Sequence, residues 1–232
     1  MADAEPVELQ HDGERLVGHQ WGAGPLVLLI HGWDGRGSQM AAFAAPLADA
    51  GFRSIAIDLP AHGKSGGRKT NMAETARAIN AIAENVGPVE AVIGHSFGAG
   101  AVARSMADGL NVNKAVLISS PANLRWMVED FYTMMGLAPR IQRDIEKRIN
   151  REYGEDIWQK VSADHNLKTS SVPGLIFHDR NDRVIPFSQA ERIAGAWASA
   201  RLVPTDGLGH RRILRNQEVI DTCVDFIRNP DD

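Results

Sequence analysis

The 232-residue chain carries one cysteine, Cys223, which rules out an intramolecular disulfide and fits a reducing compartment. Cys223 falls in the apolar-periodic stretch from Val219 to Ile227, where a free thiol acts as a small buried hydrophobe. No run reaches the roughly 18 apolar residues that a membrane-spanning helix needs. The first ten residues are acidic and lack the apolar segment of a secretory signal, so the expected location is cytoplasmic. Charge of one sign is lacking as well. Lys and Arg number 25 against 29 Asp and Glu, a formal net of −4, with the signs interspersed. That balance provides no basic footprint for nucleic acid, and Arg211, Arg212 and Arg215 read as a local group at a helix start. Phosphate-cradling glycine patterns are absent after the strands, so Gly22, Gly24 and Pro25 read as a plain loop. His31, His62 and His95 come without H-E-x-x-H or cysteine spacing, which points to packing or turn roles and to no metal. Repeats and low-complexity segments are missing too.

What is present is a strand–helix alternation in a chain long enough for one large domain. Val7–Gln10 and Arg15–Trp21 flank His11-Asp12-Gly13-Glu14 and read as a hairpin. Pro25–Ile30 is a continuous apolar run, as a strand buried on both faces requires. Arg53–Leu59, Val89–Gly94, Lys114–Ser119 and Gly174–His178 repeat the pattern, and Arg201–Pro204 is a weaker last strand. Gln39–Ala50, Asn71–Asn85, Phe97–Gly109, Ser188–Ala198 and Arg212–Arg228 show apolar spacing near 3.6 and read as helices. Together they predict a doubly wound α/β sheet. About 50 residues from Ser120 to Pro173 interrupt the rhythm. Rich in Met, Trp, Arg and Glu, they predict two or three helices rather than a bare loop. We take 121–172 as a small cap inserted into a single domain spanning 1–232.

Chemistry enters with Gly94-His95-Ser96-Phe97-Gly98. Ala91-Val92-Ile93 enters this pentapeptide as a strand and Ala99–Ala107 leaves it as a helix. A tight strand-to-helix turn needs minimal side chains on its flanks, which Gly94 and Gly98 supply. Ser96 then lies at a helix N-terminus, where free N–H groups favour developing negative charge. A serine hydroxyl needs a base within hydrogen-bond reach. His210, in a glycine-rich loop after the last strand, lies on the same face of the sheet. The third member is a carboxylate that orients the imidazole. Asp179 stands at a strand end and Asp182 in the loop beyond it; we prefer Asp182, with Asp179 tying down the loop. Asp34 and Asp58 read as turn or hydrogen-bonding residues.

Four segments, Leu29-Ile30-His31-Gly32-Trp33, Asp58–Ser65, Gly94–Gly98, and Asp182–Pro186 with Gly209-His210, resemble the α/β-hydrolase superfamily in order and spacing. The likeness covers nearly the whole chain and is nearest to small, capped, carboxylesterase-like members. It implies a mostly parallel eight-stranded sheet with helices on both faces and a small helical cap after strand 6. It also implies a Ser96–Asp182–His210 triad and an oxyanion hole built from the backbone N–H groups of Trp33 and Phe97. The sequence departs from the pattern at Ala61, where relatives often have glycine, and at His178-Asp179, where they commonly read His-Gly. The expected substrate is a small-molecule ester with an apolar acyl or alcohol part, cleaved without a cofactor. Trp126, Met127, Phe131 and Met134 of the cap are the candidate pocket residues. The same triad serves a thioesterase, an amidase, a carbon–carbon bond hydrolase, or a ligand-binding protein that turns over slowly.

Overall fold

A computed structural model describes residues 4–229. The start of the Met1–Gln10 segment, read above for a signal, lies outside the described residues. β1 (Glu5–His11) and β2 (Glu14–Trp21) form an antiparallel hairpin, turned by Asp12 and Gly13 at φ 50° and 78°. Positive φ at both central residues matches the right-handed twist of the flanking strands. β2 pairs antiparallel with β4 (Arg53–Ile57), and from there every pairing is parallel. With β3 (Leu26–Ile30), β5 (Val89–His95), β6 (Val112–Ile118), β7 (Gly174–Asp179) and β8 (Ala200–Thr205), the sheet has eight strands in the order β1-β2-β4-β3-β5-β6-β7-β8.

The central strands β3, β5, β6 and β7 are buried almost throughout because each faces helices on both sides, whereas β1 and β2 at one edge are mostly exposed or half-buried. Leu26, Leu28 and Ile30 of β3 join one core layer; Val27 and Leu29 join the other. The alternation continues through Val92 against Ala91 and Ile93, and through Ala115 and Leu117 against Val116 and Ile118. One layer is closed by α2 (Met72–Val86), α3 (Phe97–Ala107) and α8 (Phe187–Ala196), the other by α1 (Ala44–Asp49) and α10 (Gln217–Arg228). Cys223 lies in that second layer, fully buried, and burial pushes its thiol pKa well up.

Three sequence expectations are redrawn. Gln39–Ala50 is a 3₁₀ segment, Gly37–Phe43, running into the short α1. Arg212–Arg228 is broken: α9 (Gly209–Arg212) and a 3₁₀ turn, Ile213–Arg215, precede Asn216, which caps α10 by accepting from the Val219 N–H. Between β6 and β7 lie four helices rather than two or three: α4 (Leu124–Met134), α5 (Pro139–Tyr153), α6 (Ile157–Lys160) and α7 (Ala163–Asn166). α7 packs on α3 and α8, whereas α5 contributes no buried residue. Among the described residues no helix is long and apolar enough to cross a membrane.

Candidate active site

Ser96 follows the last residue of β5 and caps α3 at φ 55° and ψ −125°, a conformation rarely adopted by residues with a side chain. The turn is held because its N–H donates to Ile118 O of β6 at 2.9 Å, and its carbonyl accepts from Ala99 and Gly100. Close approach leaves no room for side chains beside it. A Cβ on Gly98 would lie 2.1 Å from His31 O, and one on Gly32 would lie 2.9 Å from the Ser96 Cβ. The His31–Trp33 loop is therefore pressed against the Ser96 turn. Among the described residues, no protein acceptor engages the N–H groups of Trp33 and Phe97. Trp33 stands 56 % exposed, edge-on to the Phe97 ring at 5.0 Å and to His62 at 5.4 Å.

His210, the second residue of α9, brings its ring between the serine and a carboxylate. Ser96 Oγ is 2.9 Å from His210 Nε2, and His210 Nδ1 is 2.7 Å from Asp182 Oδ2. The other Asp182 oxygen accepts from the N–H groups of Val184 (2.8 Å) and Ile185 (3.0 Å). Burial alone raises the Asp182 pKa, but the His210 hydrogen bond and those two amides outweigh it, so the carboxylate ionises below its ordinary range. Asp179, the alternative acid, lies fully buried and turned elsewhere. It accepts from the Thr205 hydroxyl (2.8 Å), Leu208 N–H (2.9 Å) and Asn181 N–H (3.0 Å), tying β7 to the loop that carries His210. Burial raises its pKa, and these donors more than offset that.

Three further histidines surround this group, and the sequence assigned none of them a specific partner. His31 Nε2 accepts from the Leu59 N–H at 2.9 Å, so Nδ1 carries the proton and donates to Gly32 O at 2.8 Å. His95 Nε2 donates to the His210 carbonyl at 2.9 Å. His178 Nε2 donates to Ile185 O at 2.8 Å and lies 3.6 Å from Asp182 Oδ2. Burial lowers the pKa of all three, to about 4 for His31 and His95. The legible signal was positional: each stands at or just beyond the carboxyl end of a central strand. Asp58, read as a turn residue, accepts from the N–H groups of Gly37 and Lys64, each at 2.7 Å.

The four candidate pocket residues lie on α4, between β6 and β7. Trp126 and Met127 are half-buried, and Phe131 and Met134 are exposed. An open cleft of about 710 Å³ is lined by Asn123, Arg125, Trp158 and Ser162 among others, and one of about 610 Å³ lies around Pro25, Pro88 and Leu110. Neither includes any of the four.

A serine hydroxyl, an imidazole and a buried carboxylate joined in sequence at the carboxyl ends of a parallel sheet define a fold class of hydrolases. The model of the alpha/beta hydrolase family matches residues 27–222, and the chain belongs to that family. It is 26 % identical to a non-heme haloperoxidase of Rhodococcus erythropolis, covering 97 % of this chain and 100 % of the relative. It is 27 % identical to a bifunctional esterase/perhydrolase of Acinetobacter calcoaceticus, covering 94 % and 98 %. Among solved structures, an esterase from Exiguobacterium antarcticum superposes with a TM-score of 0.72 at 20 % identity, covering 94 % of this chain and 97 % of its own.

Proposed function

We propose that the protein is a serine hydrolase of carboxylic esters, working through an acyl-enzyme on Ser96. The observation that carries this reading is the unbroken hydrogen-bond sequence Ser96–His210–Asp182. Ser96 Oγ attacks the ester carbonyl while His210 Nε2 takes the hydroxyl proton. Asp182, kept ionised by its amide donors, orients the imidazole and stabilises the cation that forms. The N–H groups of Trp33 and Phe97 donate to the oxyanion, and each such donor is worth roughly 3 kcal/mol to a tetrahedral intermediate. His210 then protonates the leaving alcohol. Water, deprotonated by His210, attacks the acyl carbon and releases the acid and Ser96. No step calls for a cofactor.

The substrate's apolar part meets the exposed Trp33 ring and the Phe97 and His62 rings behind it. The Acinetobacter relative, named as a bifunctional esterase/perhydrolase, supports ester cleavage. The test is turnover of p-nitrophenyl esters from acetate to decanoate by wild type and Ser96→Ala. Steady wild-type turnover is expected to fall roughly 10⁴-fold or more in Ser96→Ala, with an unchanged melting temperature. Retained activity in the variant would overturn the nucleophile. If wild type shows only a single slow burst, the protein is a ligand-binding relative instead of an enzyme.

A further inference from the structure

Ser96 and His210 stand 114 positions apart in sequence and come from different ends of the sheet's connectivity. Their separation depends on how the β8–α10 loop is held against the nucleophile turn. Upstream of His210 the loop is tied to β7, by Asp179 to Leu208 N–H and by Asn181 to Gly207 N–H at 3.1 Å. The Arg212 guanidinium closes the loop on itself, donating to the carbonyls of Gly207 and Leu208. None of these contacts connects the loop to β5, which bears the nucleophile. Apart from the His210–Ser96 hydrogen bond itself, His95 makes the one described polar contact that does so, through its Nε2–H to the His210 carbonyl.

We infer that His95 is a positioning residue that sets the distance between the base and the nucleophile, acting through the main chain of His210. The inference rests on the Ser96–His210–Asp182 reading and deepens it. His95 is covalently joined to Ser96, and its Nε2–H holds His210 O at 2.9 Å while the His210 ring reaches back to Ser96 Oγ at 2.9 Å. Two hydrogen bonds and the covalent chain thus close a small ring. A shift of the loop away from β5 lengthens both bonds at once.

The chemistry of the side chain separates this role from packing. With Nε2 as donor, His95 Nδ1 must be a lone pair, and it is buried without any partner. A buried acceptor left unpaired costs on the order of 1–3 kcal/mol, which an apolar side chain of similar size avoids. Histidine at this position therefore contributes something that apolar volume does not, and the N–H to His210 is what it contributes. The residue is only 5 % exposed and its ring centroid lies 4.9 Å from that of His210. Burial first, and then the neighbouring His210, keep it uncharged. A neutral ring there avoids repelling the imidazolium that forms on His210 during acylation.

Two variants and one spectrum test the assignment. His95→Phe keeps the volume and removes the donor; His95→Gln keeps an N–H at the Nε2 position. With p-nitrophenyl acetate, His95→Phe is expected to lose roughly 100-fold in kcat with KM nearly unchanged, since about 1 Å of misplacement has that effect. His95→Gln should recover most of the loss. Wild-type kcat in His95→Phe, or equal loss in both folded variants, overturns the donor role. Nitrogen-15 spectra of the intact wild-type protein decide the matter even if His95→Phe does not fold. Nε2 protonated and Nδ1 bare is expected for His95, and the opposite tautomer overturns the inference. Failure of the triad itself reads differently: Ser96→Ala would then turn over esters like wild type.

Discussion

The sheet and the helical insertion between β6 and β7 are built to opposite specifications. β3, β5, β6 and β7 are buried along almost their whole length, and the proposed triad sits at their carboxyl ends or beside them, Ser96 and Asp182 outside regular elements and His210 on the short α9. The insertion holds α5, which buries nothing, and five of the seven large apolar side chains that stand exposed among the described residues: Phe131, Met134, Met135, Ile141 and Tyr153. The remaining two, Trp33 and Val184, flank the triad. Ion pairs on α4 and α5, such as Arg125 with Glu129 and Glu146, are largely solvent-exposed and contribute well under 1 kcal/mol each. Chemical geometry is thus stored where packing is dense, and within the insertion it is α5 that is loosely packed, while Val161, Ala163 and Leu167 at the insertion's far end join the core. Low local burial of this kind marks the part of a protein that opens first.

The contrast is sharpest in activity. Asp182→Asn should lower kcat with a p-nitrophenyl ester about 10⁴-fold, because the amide favours the wrong imidazole tautomer. Asp179→Asn should leave kcat far closer to wild type while lowering thermal stability, and Met134→Ser should change neither. The reverse ranking of the two aspartates would exchange their roles. A second experiment sets core against insertion by urea unfolding. Leu29→Ala, fully buried in the sheet, should lose about 2–5 kcal/mol. Met134→Ala should stay within about 0.5 kcal/mol. Equal losses would mean that the insertion is integral to the core. The smallest effect concerns acid. His31 and His95 have folded pKa values near 4, below the 6.5 of the unfolded chain, so the unfolded state binds more protons between these limits. Stability is complete above about pH 6.5 and falls as the pH drops through 4, by up to about 3 kcal/mol per histidine. The insertion has no buried histidine to match, since His165 is exposed. The urea midpoint at pH 7.5 and 4.5 checks this, and a midpoint unchanged between them would contradict it.

The same division governs what could be read from the sequence. Strands such as Pro25–Ile30 and Val89–Gly94 were legible because burial on both faces admits only apolar residues, and their ends fall within a residue or two. The break before α10 was not legible, because Ile213 and Leu214 carry the apolar spacing straight across Asn216. α5 shows why the insertion resisted reading: Ile141, Ile145 and Ile149 repeat like a buried stripe, yet none of them is buried. At the site, Ser96 and His210 could be picked out from local turn chemistry. The partners of His31, His95 and His178 could not, because each is a backbone group supplied by another segment of the fold.

The positive φ of Ser96 sets the protein's durability against its reactivity. A side chain held at φ 55° and ψ −125° stores about 1–3 kcal/mol of strain, while glycine adopts such angles freely at an entropic cost of about 0.5–1 kcal/mol. The chain would therefore withstand heat better with glycine at 96, which has no side-chain group to attack an ester. A laboratory evolution that rewarded heat resistance alone would drift toward erasing the proposed nucleophile, and only simultaneous selection for turnover would hold it in place.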